Sequence, residues 1–347
     1  MSSIPEYPQH PIVRKSNFEL LRVLAILMVV MEHFIRQSGL LETETGTNGA
    51  INTFLGSGGR IAVNVFLLIG SWFMVDSTFR PGKAIKLYLE TAFYCIPITL
   101  VMAYLGMAGE ARNILQGLLP FFGRPVWFAS AYISLILLTP FLNMAFMLSP
   151  RKQFRLVIML FVLFCLASTI PSFSNIDYIA DFSWFCVLYV TVGWVKGNNI
   201  LEKLNFNRWV YALMAILIYV GLCFAARSAM LSWVANYWLD NIRTAPNIAC
   251  ALCLFMFFRK IDIGSIRLVN FFAKSTFAVY VVHQIPAFRE FEWKTLCGAA
   301  SLVELPSSMY ALSILGISVA VFAAITAVDA ARIALFSMIE AKFRKAT

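Results

Sequence analysis

The sequence predicts an all-α fold: a polytopic transmembrane bundle of about ten helices, with both termini cytoplasmic. Three observations carry this expectation: an apolar composition, apolar runs of spanning length, and basic residues concentrated in alternate loops. Of 347 residues, 60% are hydrophobic and 13% charged, and the mean hydropathy is +0.76. Soluble domains carry about 25% charged residues, and a soluble fold this apolar would lack the polar side chains to cover its surface. The runs show no extended alternation of the kind a transmembrane β-barrel requires.

In chain order, the apolar runs cover residues 18–35, 60–76, 84–106, 127–147, 154–171, 182–195, 209–228, 244–258, 270–286 and 308–335. Most approach the roughly 20 residues that a helix needs to cross the hydrocarbon core. The sixth and eighth are short and the last is long. The first is long enough to span, so no cleavable signal peptide is expected. The segment Asn113–Arg124 is too short and interrupted to cross, and is expected at the outer interface or dipping partway in.

Orientation follows from lysine and arginine. One set of loops and both termini hold seventeen, including Arg14, Lys83, Lys86, Arg151, Lys196, Arg259 and Lys342. The alternate loops hold eight: Arg36, Arg60, Arg112, Arg124, Arg227, Arg243, Arg289 and Lys294. The richer side is therefore the cytoplasmic one. The formal net charge of +10 is this topogenic signal plus attraction to anionic lipid; no nucleic-acid partner is expected. Seven cysteines are scattered through the apolar runs. The pair Cys250 and Cys253 has CxxC spacing but sits inside a run without a second pair or a nearby histidine, so it reads as helix packing and no metal is expected.

The chemistry-bearing residues are those that should not be in a membrane. The first run contains or adjoins Glu19, Arg22, Glu32 and His33, and intramembrane charge is costly enough to mark a site by default. Arg22 and His33 are eleven residues apart. At about 100° per residue that is three turns plus about 20°, so they share one helix face, about 16 Å apart in height. Arg22 taken alone could snorkel to the cytoplasmic boundary, and His33 alone could be an interfacial histidine; the shared face argues against both. Of the other histidines, His10 lies in the polar N-terminal tail. His283 ends the ninth run at a depth similar to His33. Histidine is the side chain best suited to general-base work near neutral pH.

The same residues carry a family resemblance. Arg22-x10-His33, preceded by Asn17-Phe18-Glu19-Leu20-Leu21, resembles the first-helix signature of the membrane acyltransferase-3 family, bacterial O-acetyltransferases of surface polysaccharides and related glycans. Arg60–Met74 resembles the second-helix block, with Gly70-Ser71-Trp72 showing the family's small pair in reversed order. Lys83 and Lys86 stand where the family has a basic R-x-x-R pair, keeping charge but not the bidentate guanidinium geometry. Trp127–Asn143 resembles the fourth-helix block, and Ser275–His283 the late aromatic-x-x-His block.

The resemblance implies three segments: a cytoplasmic tail at 1–16, an acyltransferase-3-like transmembrane domain at 17–336, and a cytoplasmic tail at 337–347. No soluble esterase-like domain is expected after it. It implies acetyl-CoA as an acyl-donor substrate with no permanently bound cofactor, a glycan or lipid-linked saccharide as acceptor, and a bacterial plasma membrane location. Expected catalytic residues are His33, His283 and, ranked below them, Glu32; Arg22, Lys83 and Lys86 are expected to hold the phosphates of CoA. Adjacent helix residues point about 100° apart, so Glu32 should not bond His33 directly. Arg60 and Arg124 could meet an acidic glycan, and Trp127, Trp72 and Tyr132 could stack on sugar rings or simply form an interfacial belt. The competing class is a transporter or flippase of a lipid-linked saccharide, which would favour internal repeats and broken helices; no repeat is visible. Consumption of acyl-CoA separates the two.

Overall fold

The computed structural model describes residues 15–43, 45–121, 126–171 and 181–346. It is 82% helical, and no strand occurs among the described residues. The helices that position the site are α1 (Ser16–Gln37), α2 (Gly46–Gly56), α3 (Gly59–Met74), α4 (Pro81–Tyr104) and α5 (Ala111–Leu118). They continue with α6 (Trp127–Leu142), α7 (Pro150–Phe161), α8 (Asp181–Gly197), α9 (Arg208–Arg227), α10 (Ser232–Asp240) and α11 (Ala245–Lys260). The chain closes with α12 (Arg267–Lys274), α13 (Thr276–Val282), α14 (Pro286–Glu290) and α15 (Ser307–Ala346).

Among the described residues, six helical stretches are long and apolar enough to cross a bilayer: Gly46–Met74, Pro81–Tyr104, Trp127–Met147, Pro150–Thr169, Arg208–Arg227 and Ser307–Ile339. The bent pair α10–α11, turned by 54°, makes a seventh when counted as one span. These seven correspond to runs two, three, four, five, seven, eight and ten. The other three runs are also helical but differ physically. The α1 helix has the length, at 22 residues, but carries Glu19, Arg22, Glu32 and Arg36. The α8 helix is 17 residues long, and run nine is divided at Ser275 into α12 and α13.

Burial sorts the bundle into centre and rim. The Gly46–Met74 span has 67% of its apolar window inside the protein, against 17% for Pro150–Thr169, so α3 is central and α7 peripheral. The α3 helix packs against α1, α8 and α11, and α11 packs against α9. In lipid such contacts depend on close packing and buried hydrogen bonds more than on expulsion of water. Asn64 in α3 supplies one such bond pair: its amide donates to the Ile242 carbonyl at 2.7 Å and accepts from Trp184 Nε1 at 2.9 Å. Small residues permit close approach, and a Cβ on Gly70 would stand 2.4 Å from the Tyr132 hydroxyl. The α5 helix, within the segment expected at the outer interface, lies against α4 and α14.

The start of α1 is fastened to the loop after α11. Ser16 N–H donates to the Gly264 carbonyl at 2.8 Å, Asn17 to the Phe258 carbonyl at 2.9 Å, and Lys15 to Asp262 at 2.8 Å. Hydrogen bonds from Lys15 and the Gly264 N–H hold the Asp262 carboxyl below the usual range. Near this end Arg259 pairs with Glu202, and Lys196 with Asp76. It is called the basic end below, and the opposite one the distal end.

Candidate active site

One cavity of about 190 Å³ joins the two ends of α1. Its wall includes Arg22 toward the basic end and Glu32, His33 and Arg60 toward the distal end. The shared face of Arg22 and His33 therefore opens on a single internal space. Between them the wall is aromatic and apolar, including Phe66, Trp127, Phe128 and Tyr132. Phe128 and Tyr132 stack with ring centroids 5.8 Å apart, and Phe128 N–H donates to the Tyr280 hydroxyl at 3.0 Å.

At the distal end the two histidines meet. His33 Nδ1 lies 2.7 Å from His283 Nε2, and the rings sit 4.9 Å apart by centroid. His283 is fully buried, at the C-terminal end of α13. Its Nδ1 bonds the backbone carbonyl of Val279, one turn earlier. A carbonyl only accepts, so Nδ1 of His283 carries the proton and Nε2 of the neutral ring is a lone pair. Its partner, Nδ1 of His33, is then the donor. Hydrogen-bond complementarity thus leaves the unprotonated nitrogen of a neutral His33 at Nε2. The Gln284 side-chain amide nitrogen is placed 2.7 Å from His33 Nδ1; a protonated Nδ1 requires the amide turned about so that its oxygen, an acceptor, faces that atom.

The packing behind the pair is rigid. Trp293, fully buried, contacts His283 with ring centroids 6.0 Å apart and Phe34 at 5.4 Å. Its indole N–H donates to Gln37 Oε1 at 2.8 Å, one turn beyond His33.

Glu32 shares the cavity but contacts neither imidazole. Its Oε1 lies 3.4 Å from Arg36 Nε and 3.7 Å from Arg60 Nε. The sequence expectation that it should not bond His33 agrees with this; a role beside His283 has no contact behind it. Arg22 keeps a local partner, donating to Glu19 at 2.7 Å, and lies 6.0 Å above the Phe73 ring. Lys83 and Lys86 do not line the cavity. Both are exposed at the start of α4, with Lys83 donating to Ser77 at 3.3 Å. Leu87, next in sequence to Lys86, is in the wall. Of the aromatic candidates, Trp127 and Tyr132 face the cavity; Trp72 instead carries Lys196 and Arg259 over its ring, at 4.5 and 5.4 Å. His10 and Arg124 lie outside the described residues.

Sequence reasoning missed Gln284, Arg36 and Gly59. Gln284 had a signal, being polar at the end of an apolar run beside His283. Arg36 had one as well, standing four residues after Glu32 on the same helix; Gly59 had none until the helices were placed against each other.

A family model described as an acyltransferase domain matches residues 15–329, most of the chain. No curated protein matches the chain, and no solved structure does. The match runs through the first helix, the histidine pair and most of α15, and with several apolar helices long enough to span it makes this a multi-pass membrane protein of the acyltransferase-3 family.

Proposed function

We propose that the protein is an integral membrane O-acyltransferase that moves acetyl from cytoplasmic acetyl-CoA to a hydroxyl of a surface polysaccharide or lipid-linked glycan. In this reading all ten runs cross a bacterial plasma membrane, and the basic end and both termini face the cytoplasm. The observation that carries it is the single cavity linking Arg22 to His33. A donor entering from the basic end meets Lys83 and Lys86 at the rim and Arg22 inside, cations suited to its phosphates. The pantetheine arm has about 16 Å to travel along α1 to the imidazole.

The acceptor hydroxyl approaches from the distal end. Nε2 of His33 takes its proton as the oxygen attacks the thioester carbon. Collapse of the tetrahedral intermediate breaks the carbon–sulfur bond, and the departing thiolate recovers the proton from His33 as free CoA. A positioned base of this kind contributes about 10²–10⁴-fold. His283, held by Val279, accepts from Nδ1 of His33 and so favours the tautomer that leaves Nε2 basic. It is a positioning residue; Glu32, which stands beside Arg36 and Arg60, takes no proton in this step.

The test is transfer of radiolabel from acetyl-CoA to endogenous glycan in membranes carrying the wild type, His33→Ala or Arg22→Ala at matched expression. Label should fall by about 10²-fold or more in His33→Ala, and Arg22→Ala should raise the acetyl-CoA concentration needed for half-maximal transfer. Undiminished transfer in His33→Ala would remove the proposed base.

A further inference from the structure

The mechanism above leaves one charged group in the cavity wall without a task. Arg60, at the start of α3, makes no hydrogen bond among the described residues, and its Nε is buried without a hydrogen-bond partner. Its ionic contact is Glu32, 3.7 Å from Nε. Neutralising Glu32 does not account for it, because Arg36 approaches the same carboxylate oxygen more closely, at 3.4 Å, and Arg36 also pairs with Asp240.

Glu32 is seated by design of the backbone beside it. Its Oε2 fills the volume that a Cβ on Gly59 would occupy, 1.6 Å from the ideal position. Only glycine at 59 lets the carboxylate lie against the head of α3. From there it braces Arg60 at the Nε edge and leaves the two terminal amino groups uncommitted. Arg36 is committed to both Glu32 and Asp240, whereas Arg60 has, among the described residues, only the longer contact to Glu32. A partly desolvated cation without an anion is costly, and a guanidinium fork matches a carboxylate or phosphate.

The cavity's other cation, Arg22, stands three helical turns from His33 on α1 and is the one matched to donor phosphates. The anion at Arg60 must therefore come with the second substrate. We propose that Arg60, braced by Glu32, binds a carboxylate or phosphate carried by the acceptor, which is accordingly an anionic rather than a neutral saccharide. Trp127 and Tyr132 offer ring faces in the same wall. The assignment of this anion to the acceptor rests on the acyltransfer reading; the anion site itself does not.

The test titrates the purified full-length protein in detergent with glucuronate, glucose 1-phosphate or glucose at constant ionic strength, and follows the thermal unfolding midpoint, which rises with ligand occupancy. At least one anionic sugar should bind the wild type about tenfold or more tighter than glucose, the worth of a charge-assisted hydrogen bond. The stronger of the two anionic sugars separates a uronic carboxylate from a sugar phosphate. Arg60→Gln should abolish the shift and Arg60→Lys should keep part of it, while His33→Ala and Arg22→Gln should retain it. Equal binding of glucose, no shift with either anionic sugar, or an undiminished shift in Arg60→Gln would overturn the proposal. The readout needs no turnover, so loss of this site with His33-dependent transfer intact removes only the anionic acceptor. Arg60-dependent binding supports the site whether or not label is transferred.

Discussion

The orientation of His33 depends on one hydrogen bond from a neighbouring helix. His283 receives the proton side of that ring, and the Val279 carbonyl fixes which of its own nitrogens can receive it. Removing the acceptor should therefore impair catalysis without impairing donor capture at Arg22. His283→Ala is expected to lower the transfer rate by about 10–100-fold, the worth of roughly 1–3 kcal/mol for a buried hydrogen bond left unmade. The acetyl-CoA concentration for half-maximal transfer should stay near wild type. His283→Gln, whose side-chain carbonyl can accept, should recover part of the rate; a merely structural role would show no such recovery, and equal rates for the two variants would sink the positioning assignment. At this scale the sequence was informative where one helix suffices. Arg22 and His33 share a face by the geometry of α1 alone, and His283 reached the same layer by counting depth along its run. Gly59 was not legible, since its role arises from a contact between helices. Gly59 matters only because the carboxylate of Glu32 arrives from α1.

Between elements, a buried charge cluster outside the cavity ties α15 to α4. Arg332 donates to Asp329 at 2.6 Å and to Glu90 at 2.9 Å. Tyr94 donates to the same Asp329 oxygen at 2.6 Å. The arginine also lies over Tyr94 and Phe336 at 6.0 and 5.4 Å. A buried pair is weak evidence of net stabilisation, but breaking one by removing a single partner costs about 3–5 kcal/mol. Arg332→Ala, which leaves two carboxylates buried together, should thus lower the unfolding midpoint in detergent sharply and expose α15 to limited proteolysis. Replacing all three groups with apolar residues of similar size should cost much less; equal losses in the two variants would refute the argument. The α10–α11 bend follows the same rule for backbone groups. Asn247 donates to the Trp238 and Asn241 carbonyls, at 2.6 and 2.9 Å, and Asn64 donates to Ile242. A break in a helix at membrane depth persists only where protein groups satisfy the freed carbonyls. Apolar runs revealed that a segment lay in this region but not that it was broken, because the compensating amides sit on other turns and on another helix.

For the whole molecule, composition was enough to give the all-helical membrane class, since it is a sum over many residues. The placement of the distal segment after α13 is a property of the assembled bundle, and it carries a pH dependence that no local pattern announces. Glu292 lies in the stretch Phe291–Leu296, is 4% exposed, and has one carboxylate oxygen buried without a hydrogen-bond partner. Burial pushes its pKa up to about 8, with the nearby Cys297 as a neighbour. The unfolded chain would titrate this group near its ordinary value of about 4.3. Across that interval the folded state holds a proton that the unfolded state releases, so stability is fully present below the lower value and declines as pH rises toward the upper one. The next residue, Trp293, packs on His283 and donates to Gln37, so loosening this segment at alkaline pH would reach the histidine pair. Glu292→Gln keeps the shape, removes the titration, and should flatten the unfolding midpoint between about pH 5 and pH 8, with its gain over wild type greatest at the upper end. The measurement is the midpoint for both proteins across that range at fixed detergent and salt. Parallel curves would show that Glu292 retains no proton in the fold, and would require a solvated or paired carboxylate at that position instead.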